Sequence, residues 1–198
     1  MPREDLRNRG ASVSALPRLG YGPSAGVRRP IIDLATDIAR LADGASPDCL
    51  PGMVADRLAE TLQLDGLLEA VHRQGDPSGY RRHVLFADPL RRFTILALVW
   101  SPGQATPVHG HTSWGAVGVY AGCPTVTLYE RENRSDNVFE IQRSRCAEIQ
   151  PGNVSFVRSG IDDVHRISNE TTEKAITIHV YGQDLLRDPG SINIILSH

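Results

Sequence analysis

From about residue 80 onward the hydrophobic period of the chain becomes two. Phe93, Ile95, Ala97 and Val99 alternate with Thr94, Leu96, Leu98 and Trp100, and both sets are largely apolar. Side chains alternate between the faces of a strand, so apolar residues in both sets predict a strand covered on both sides. Further strand-like stretches run over 82–87, 115–121, 125–130, 138–142, 153–158, 164–168, 174–181 and 192–196. Turn clusters such as Ser101-Pro102-Gly103, Asn133-Arg134-Ser135-Asp136-Asn137 and Pro151-Gly152 separate them. Many short strands at regular spacing predict an all-β core, a sandwich or a barrel.

The first part of the chain has a different rhythm. Ile31, Leu34, Ile38 and Leu41 recur at three- and four-residue steps, the mark of one apolar helix face. Gly44, Ser46 and Pro47 break the pattern. A second helical stretch carries Met53, Val54, Leu58, Leu62, Leu67, Leu68 and Val71, with Asp65-Gly66 as a possible split. Residues 1–30 are punctuated by glycine and proline and hold few large apolar side chains, which predicts a flexible tail or a segment lying along the surface. The expected organisation is a tail over 1–30 and one domain over 31–198, with helices in 31–75 and a β-barrel in 80–198.

Composition excludes several function classes. The 21 basic and 23 acidic residues leave a formal charge of −2, which argues against nucleic-acid binding through bulk charge. No run approaches the length of a membrane helix, and the start of the chain lacks the apolar core of a secretory signal. Cys49, Cys123 and Cys146 are odd in number and scattered, as reduced cytoplasmic thiols would be. A cytoplasmic monomer or small homo-oligomer without a membrane partner is expected.

Candidate chemistry centres on His109-Gly110-His111. Residues i and i+2 of a strand share a face, so these two imidazoles can aim at one metal ion. Two histidines this close also arise on surfaces and in cores. The flanking pattern argues for a ligand role: Gly103 lies before the pair, Gly122 closes the next strand, Pro151-Gly152 opens another, and His165 is trailed by Asn169. Those spacings resemble the two signature motifs of the cupin superfamily over roughly residues 80–185. The resemblance implies a double-stranded β-helix, or jelly-roll barrel, with a metal near its mouth and His109, His111 and His165 as ligands. The motif's carboxylate slot holds Gly115. A neutral three-histidine site leaves a divalent ion its full charge and open positions. It therefore suits an anionic thiolate and O₂, and it is also compatible with zinc chemistry.

A second row narrows the choice. Thr177, His179 and Tyr181 alternate with Ile176, Ile178 and Val180, so all three polar groups face one side. Buried, they need mutual hydrogen bonds; exposed, they would merely mark a half-solvated strand. Together with Tyr80-Arg81-Arg82, Val99-Trp100-Ser101-Pro102-Gly103-Gln104 and His179-Val180-Tyr181-Gly182, the row resembles the thiol dioxygenase family of cysteine and 3-mercaptopropionate dioxygenases. The resemblance implies an Fe(II) site, a Thr177-His179-Tyr181 relay, and substrate contacts from Arg82 and Tyr80. Ala116 stands five residues after His111, where mammalian-type members carry a cysteine joined to the relay tyrosine, so no such link is expected. Arg82 matches cysteine-type members, whereas other features match the mercaptopropionate branch.

Arg82 has a physical rationale of its own, because a guanidinium binds a carboxylate through two charge-assisted hydrogen bonds. Alternation lets only one of Arg81 and Arg82 face inward, and Arg82 shares parity with Tyr80. Arg158 and Arg187 are reserve candidates, and Trp114 reads as core packing rather than pocket wall. The implied reaction converts a small carboxylate-bearing thiol and O₂ to a sulfinic acid. Another metal-dependent cupin enzyme and a non-catalytic binding cupin are the alternatives.

Overall fold

The computed structural model describes residues 20–135, 138–188, 190 and 193–196, with backbone alone at 131–135, 138 and 139. Strand β1 (Gly22–Pro23) precedes helices α1 (Arg29–Gly44) and α2 (Leu50–Leu62) and a short 3₁₀ turn over Ala70–Arg73. The strands that follow are β2 (Arg81–Ala87), β3 (Thr94–Trp100), β4 (His109–His111), β5 (Gly115–Ala121) and β6 (Thr125–Ser135). Then come β7 (Val138–Glu148), β8 (Val154–Val157), β9 (Gly160–Ser168), β10 (Ala175–Tyr181) and β11 (Asn193–Ile195).

These strands form two antiparallel sheets, ordered β1-β2-β3-β10-β5-β8 and β11-β4-β9-β6-β7. The architecture is the expected cupin double-stranded β-helix with short helices before it. No helix among the described residues is long and apolar enough to cross a membrane.

The doubly apolar strand explains the layering. All seven residues of β3 are buried. Ile95, Ala97 and Val99 join Ile176, Ile178 and Val180 of β10 in a core that also takes Ile31, Leu34 and Ile38 of α1 and Val54 and Leu58 of α2. The two helices therefore cover the outer face of the six-stranded sheet. Leu96, Leu98 and Trp100 point the other way, into the space between the sheets, with Val84, Ile167 and Tyr181. Burying a large apolar side chain contributes about 1.5–3 kcal/mol, so covering both faces of β3 and β10 anchors the polar row of β10 on rigid backbone.

Three boundaries differ from the sequence reading. The second helical stretch ends at Leu62, and Gly66, with φ 65°, turns the chain before Leu67 and Leu68 enter the core. The β6–β7 hairpin is longer than expected on both strands because backbone pairing continues through polar residues such as Arg143 and Arg145, which carry no apolar alternation. Strand β9 starts at Gly160, where His111 pairs with that residue. Of the expected tail, residues 1–19 lie outside the described residues; Gly22–Pro23 pairs with Ala87 and Phe86, and α1 begins at Arg29.

Candidate metal centre and active site

Two strands bring the three histidines together. Strand β4 lies beside β9 with His109 opposite His165, and His111 follows on the same face. The residue between the two histidines has to be glycine. A Cβ at Gly110 would sit 2.4 Å from the Gly160 carbonyl oxygen, so any side chain would push β4 off β9 and separate the imidazoles.

The rings of His109, His111 and His165 have centroids 4.6–5.0 Å apart, and one nitrogen from each lies within 4.8 Å of the others. His109 directs Nδ1 at the Pro107 carbonyl, 2.9 Å away, and His165 directs Nδ1 at the Asp163 carbonyl, 3.1 Å away. A carbonyl only accepts, so each Nδ1 carries the proton and each Nε2 presents a lone pair. His111 Nε2 lies 3.3 Å from His165 Nε2. Two nitrogens bonded to one ion at about 2.1 Å stand about 3.0–3.4 Å apart for angles between square and tetrahedral, so the cradle fits a transition metal.

Burial keeps these groups neutral. Desolvation, reinforced by neighbouring imidazoles, pushes His111 down to about 2 and His165 down to about 3. His109 is lowered as well, again by burial. Neutral imidazole is the form that ligates a metal.

The row on β10 is continuous. The Trp100 indole N–H donates to Thr177 Oγ1 at 2.9 Å, Thr177 Oγ1 lies 2.8 Å from His179 Nε2, and His179 Nδ1 lies 2.8 Å from the Tyr181 hydroxyl. His179 is pushed down to about 3 by burial and by His165 and His109, so it carries one proton. Indole only donates, which leaves the Thr177 hydrogen for His179 Nε2. His179 Nδ1–H then donates to the Tyr181 oxygen, and the phenol hydrogen is left to point onward. Burial also raises the Tyr181 phenol well above its ordinary value, so it remains a donor. The Tyr181 ring stacks 5.9 Å from that of His111, which brings the end of the chain to the histidine cluster.

Arg82 lies on the inward face of β2 opposite Leu98 and is buried. It lines a small void with Tyr80, His109, His179, Tyr181 and Asn193. Burial pulls the guanidinium below its usual value, while Tyr80 and Tyr181 act in the other direction. Tyr80 is buried and stacks on Trp100 at 4.5 Å. Arg81 faces the other side of β2, opposite Val99. Arg158 and Arg187 are exposed, Arg158 lying over Phe156. Trp114 packs against the helix-side core.

One residue of each motif also takes a definite place. Asn169 is fully buried and donates to the carbonyls of Trp100 and Glu173, so it staples the end of β3 to the β9–β10 turn. Gly115 pairs with Tyr181, and a Cβ there would meet the tyrosine ring at 3.0 Å. The position against Tyr181 is therefore Gly115. Ala116 is its outward neighbour, opposite Val180 on the helix side. The three cysteines are free thiols.

Sequence reasoning did not find Trp100 as the donor that orients the β10 row, nor Asn193 as a lining residue. Trp100 shares inward parity with Leu96 and Leu98, so its signal was present. Asn193 reaches the site only through the pairing of β11 with β4, which leaves no local trace.

Among solved structures, the chain resembles TT1209 from Thermus thermophilus at 21% identity, over 59% of this chain and 96% of that one, with a TM-score of 0.44. It also resembles a cupin 2 conserved barrel domain protein from Rhodopseudomonas palustris at 15% identity, over 55% and 66% of the two chains, with a TM-score of 0.41. An uncharacterized conserved protein with a double-stranded β-helix domain from Klebsiella pneumoniae matches at 13% identity over 68% and 100%, with a TM-score of 0.43. The family described as cysteine dioxygenase type I matches residues 56–185. That match takes in most of the chain and every strand that carries a histidine of the cluster or a residue of the β10 row, so the protein belongs to the cysteine dioxygenase type I family.

Proposed function

We propose that the protein is a non-haem Fe(II) thiol dioxygenase that converts a small carboxylate-bearing thiol to its sulfinic acid. The observation that carries this reading is the convergence of three neutral imidazoles, an oriented phenol and a buried guanidinium on one end of the barrel. The reaction is RSH + O₂ → RSO₂H. Sulfur loses four electrons, O₂ gains four, and both oxygen atoms end on sulfur.

His109, His111 and His165 would hold a ferrous ion, which would supply proximity between the thiol and O₂. The chain's own groups do the rest. Arg82 pairs with the substrate carboxylate and fixes the far end of the molecule. Tyr181 donates its hydrogen bond toward the reacting sulfur and oxygen atoms, where negative charge develops. Thr177 and His179 hold that phenol in its donor orientation, and Tyr80 closes the wall beside Arg82 against Trp100.

The test is O₂ uptake by the Fe(II)-loaded protein with cysteine, 3-mercaptopropionate, mercaptosuccinate and a neutral thiol, with the sulfinic acid identified by mass spectrometry. Uptake with one O₂ per sulfinate formed is expected. Stoichiometric metal binding without uptake on any thiol overturns the reading.

A further inference from the structure

We propose that the apolar cavity between β5–β8 and β6–β7 is a binding chamber for dioxygen that feeds the three-histidine site from the side opposite Arg82. This inference rests on the thiol dioxygenase reading above.

The cavity has a volume of about 370 Å³ and takes part of its lining from the edge strands β7 and β8. Its walls include Val117, Val119, Val126, Leu128, Val154 and Ile167. Strand register explains the lining. Val119 lies opposite Thr177 and Val117 opposite His179, so both share the inward face of the β10 row. Val117 remains half-exposed in spite of that inward position, because it borders the cavity.

Val117 and Ile167 are also walls of a second void, which His111, His165, His179 and Tyr181 line as well. The chamber and the histidine cluster are therefore separated by one layer of aliphatic side chains. The inner void measures about 20 Å³, room for a single water-sized molecule. The void beside Arg82 is equally small, so polarity rather than size separates the two.

Polarity divides the two approaches. Arg82, Tyr80, Thr106 and Asn193 meet His109 in a different void, which suits the charged end of a thiol. The chamber beside Val117 presents mainly aliphatic surface, where an apolar molecule gains by leaving water. A substrate anchored on Arg82 would obstruct its own side of the site. The second route lets O₂ arrive with the thiol already bound.

Crystals of the wild-type protein pressurised with xenon test the chamber directly, since xenon occupies dry apolar cavities. Xenon density bounded by Val119, Val126 and Ile167 is expected, and its absence overturns the proposal. Val126 and Ala147 are paired across β6 and β7, so Val126→Phe and Ala147→Phe each fill the chamber from one side without touching the histidines. Each variant is expected to lose xenon density and to raise KM for O₂ by about 5-fold or more, with KM for the thiol within about 2-fold of wild type. An unchanged KM for O₂ in a variant that has lost xenon overturns the passage while wild-type turnover leaves the function standing. Absence of O₂ uptake by the wild type with every thiol overturns the functional reading and, with it, the assignment of dioxygen to the chamber.

Discussion

The ring of Tyr181 occupies the space that a side chain at position 115 would need. The two residues are direct partners between β10 and β5, and a Cβ on Gly115 would lie 3.0 Å from Tyr181 Cδ1. The slot that the cupin resemblance assigns to a carboxylate is thus filled by a phenol reaching in from the neighbouring strand. A larger side chain at position 115 and the Tyr181 ring in its present place exclude one another.

That relationship predicts the outcome of restoring the carboxylate. Gly115→Glu has to displace the Tyr181 ring, and overpacking of this kind costs about 1–3 kcal/mol. The variant is expected to melt lower and to lose turnover even where it still binds metal. Thermal unfolding and metal content, measured together, check this. A variant that keeps both Tm and turnover would show that Tyr181 has another place to go.

His165→Ala removes one of the three proposed ligands, the one carried by β9. Purified and dialysed protein is expected to retain well under one equivalent of iron and to lose turnover in parallel. Metal analysis beside an O₂ electrode reads both. Stoichiometric iron with normal turnover would remove His165 from the cradle.

Tyr181→Phe keeps the ring but deletes the donor. Iron content should not change, whereas turnover should fall by about 10- to 1000-fold, the effect of losing one acid or electrostatic donor. Thr177→Val leaves the Trp100 N–H and His179 Nε2 without their partner, at a cost of about 1–3 kcal/mol for each buried orphan. Thr177→Ser should recover the stability. Denaturation curves of the pair distinguish the hydroxyl from the methyl.

Arg82→Gln is expected to raise KM for carboxylate-bearing thiols by about 10- to 100-fold, corresponding to one charge-assisted hydrogen-bond set of about 1.5–3 kcal/mol. A neutral thiol such as 2-mercaptoethanol should show little change. Steady-state kinetics on both classes decide the matter; an equal loss on both would mean that Arg82 shapes the fold rather than the substrate.

The metal-free protein should lose stability on acidification before its carboxylates titrate. His111, His165 and His179 are held down to about 2, 3 and 3 by burial and by neighbouring imidazoles, His109 acting on all three, against about 6.5 for an unfolded histidine. Below pH 6.5 the unfolded chain takes up protons that the folded chain refuses, so stability falls as pH drops toward 3. Each such imidazole contributes up to about 1.4 kcal/mol per pH unit in that window. Urea denaturation at pH 7.5, 6, 5 and 4.5 measures the slope. A flat profile would mean that these rings are solvated.

Much of the fold was written in local patterns. The shift from helical to strand period, the double apolar set of β3 and the parity of Thr177, His179 and Tyr181 each depend on side-chain direction along one element. The spacing of His109 and His111 likewise needed only a strand to put both on one face. The long polar hairpin of β6 and β7 escaped this reading because its stability comes from backbone pairing, which leaves no hydrophobic period.

By itself, then, the sequence determined which residues share a face, since alternation is a property of a single strand. Only the tertiary structure decided which faces meet. His165 joins His109 because β9 pairs with β4, and Trp100 orients Thr177 because β3 pairs with β10 in one register. Gly115 admits Tyr181, and Gly110 admits the Gly160 backbone, for the same reason: contacts between strands distant in the chain are set by packing, and packing has no signature in the residues taken one element at a time.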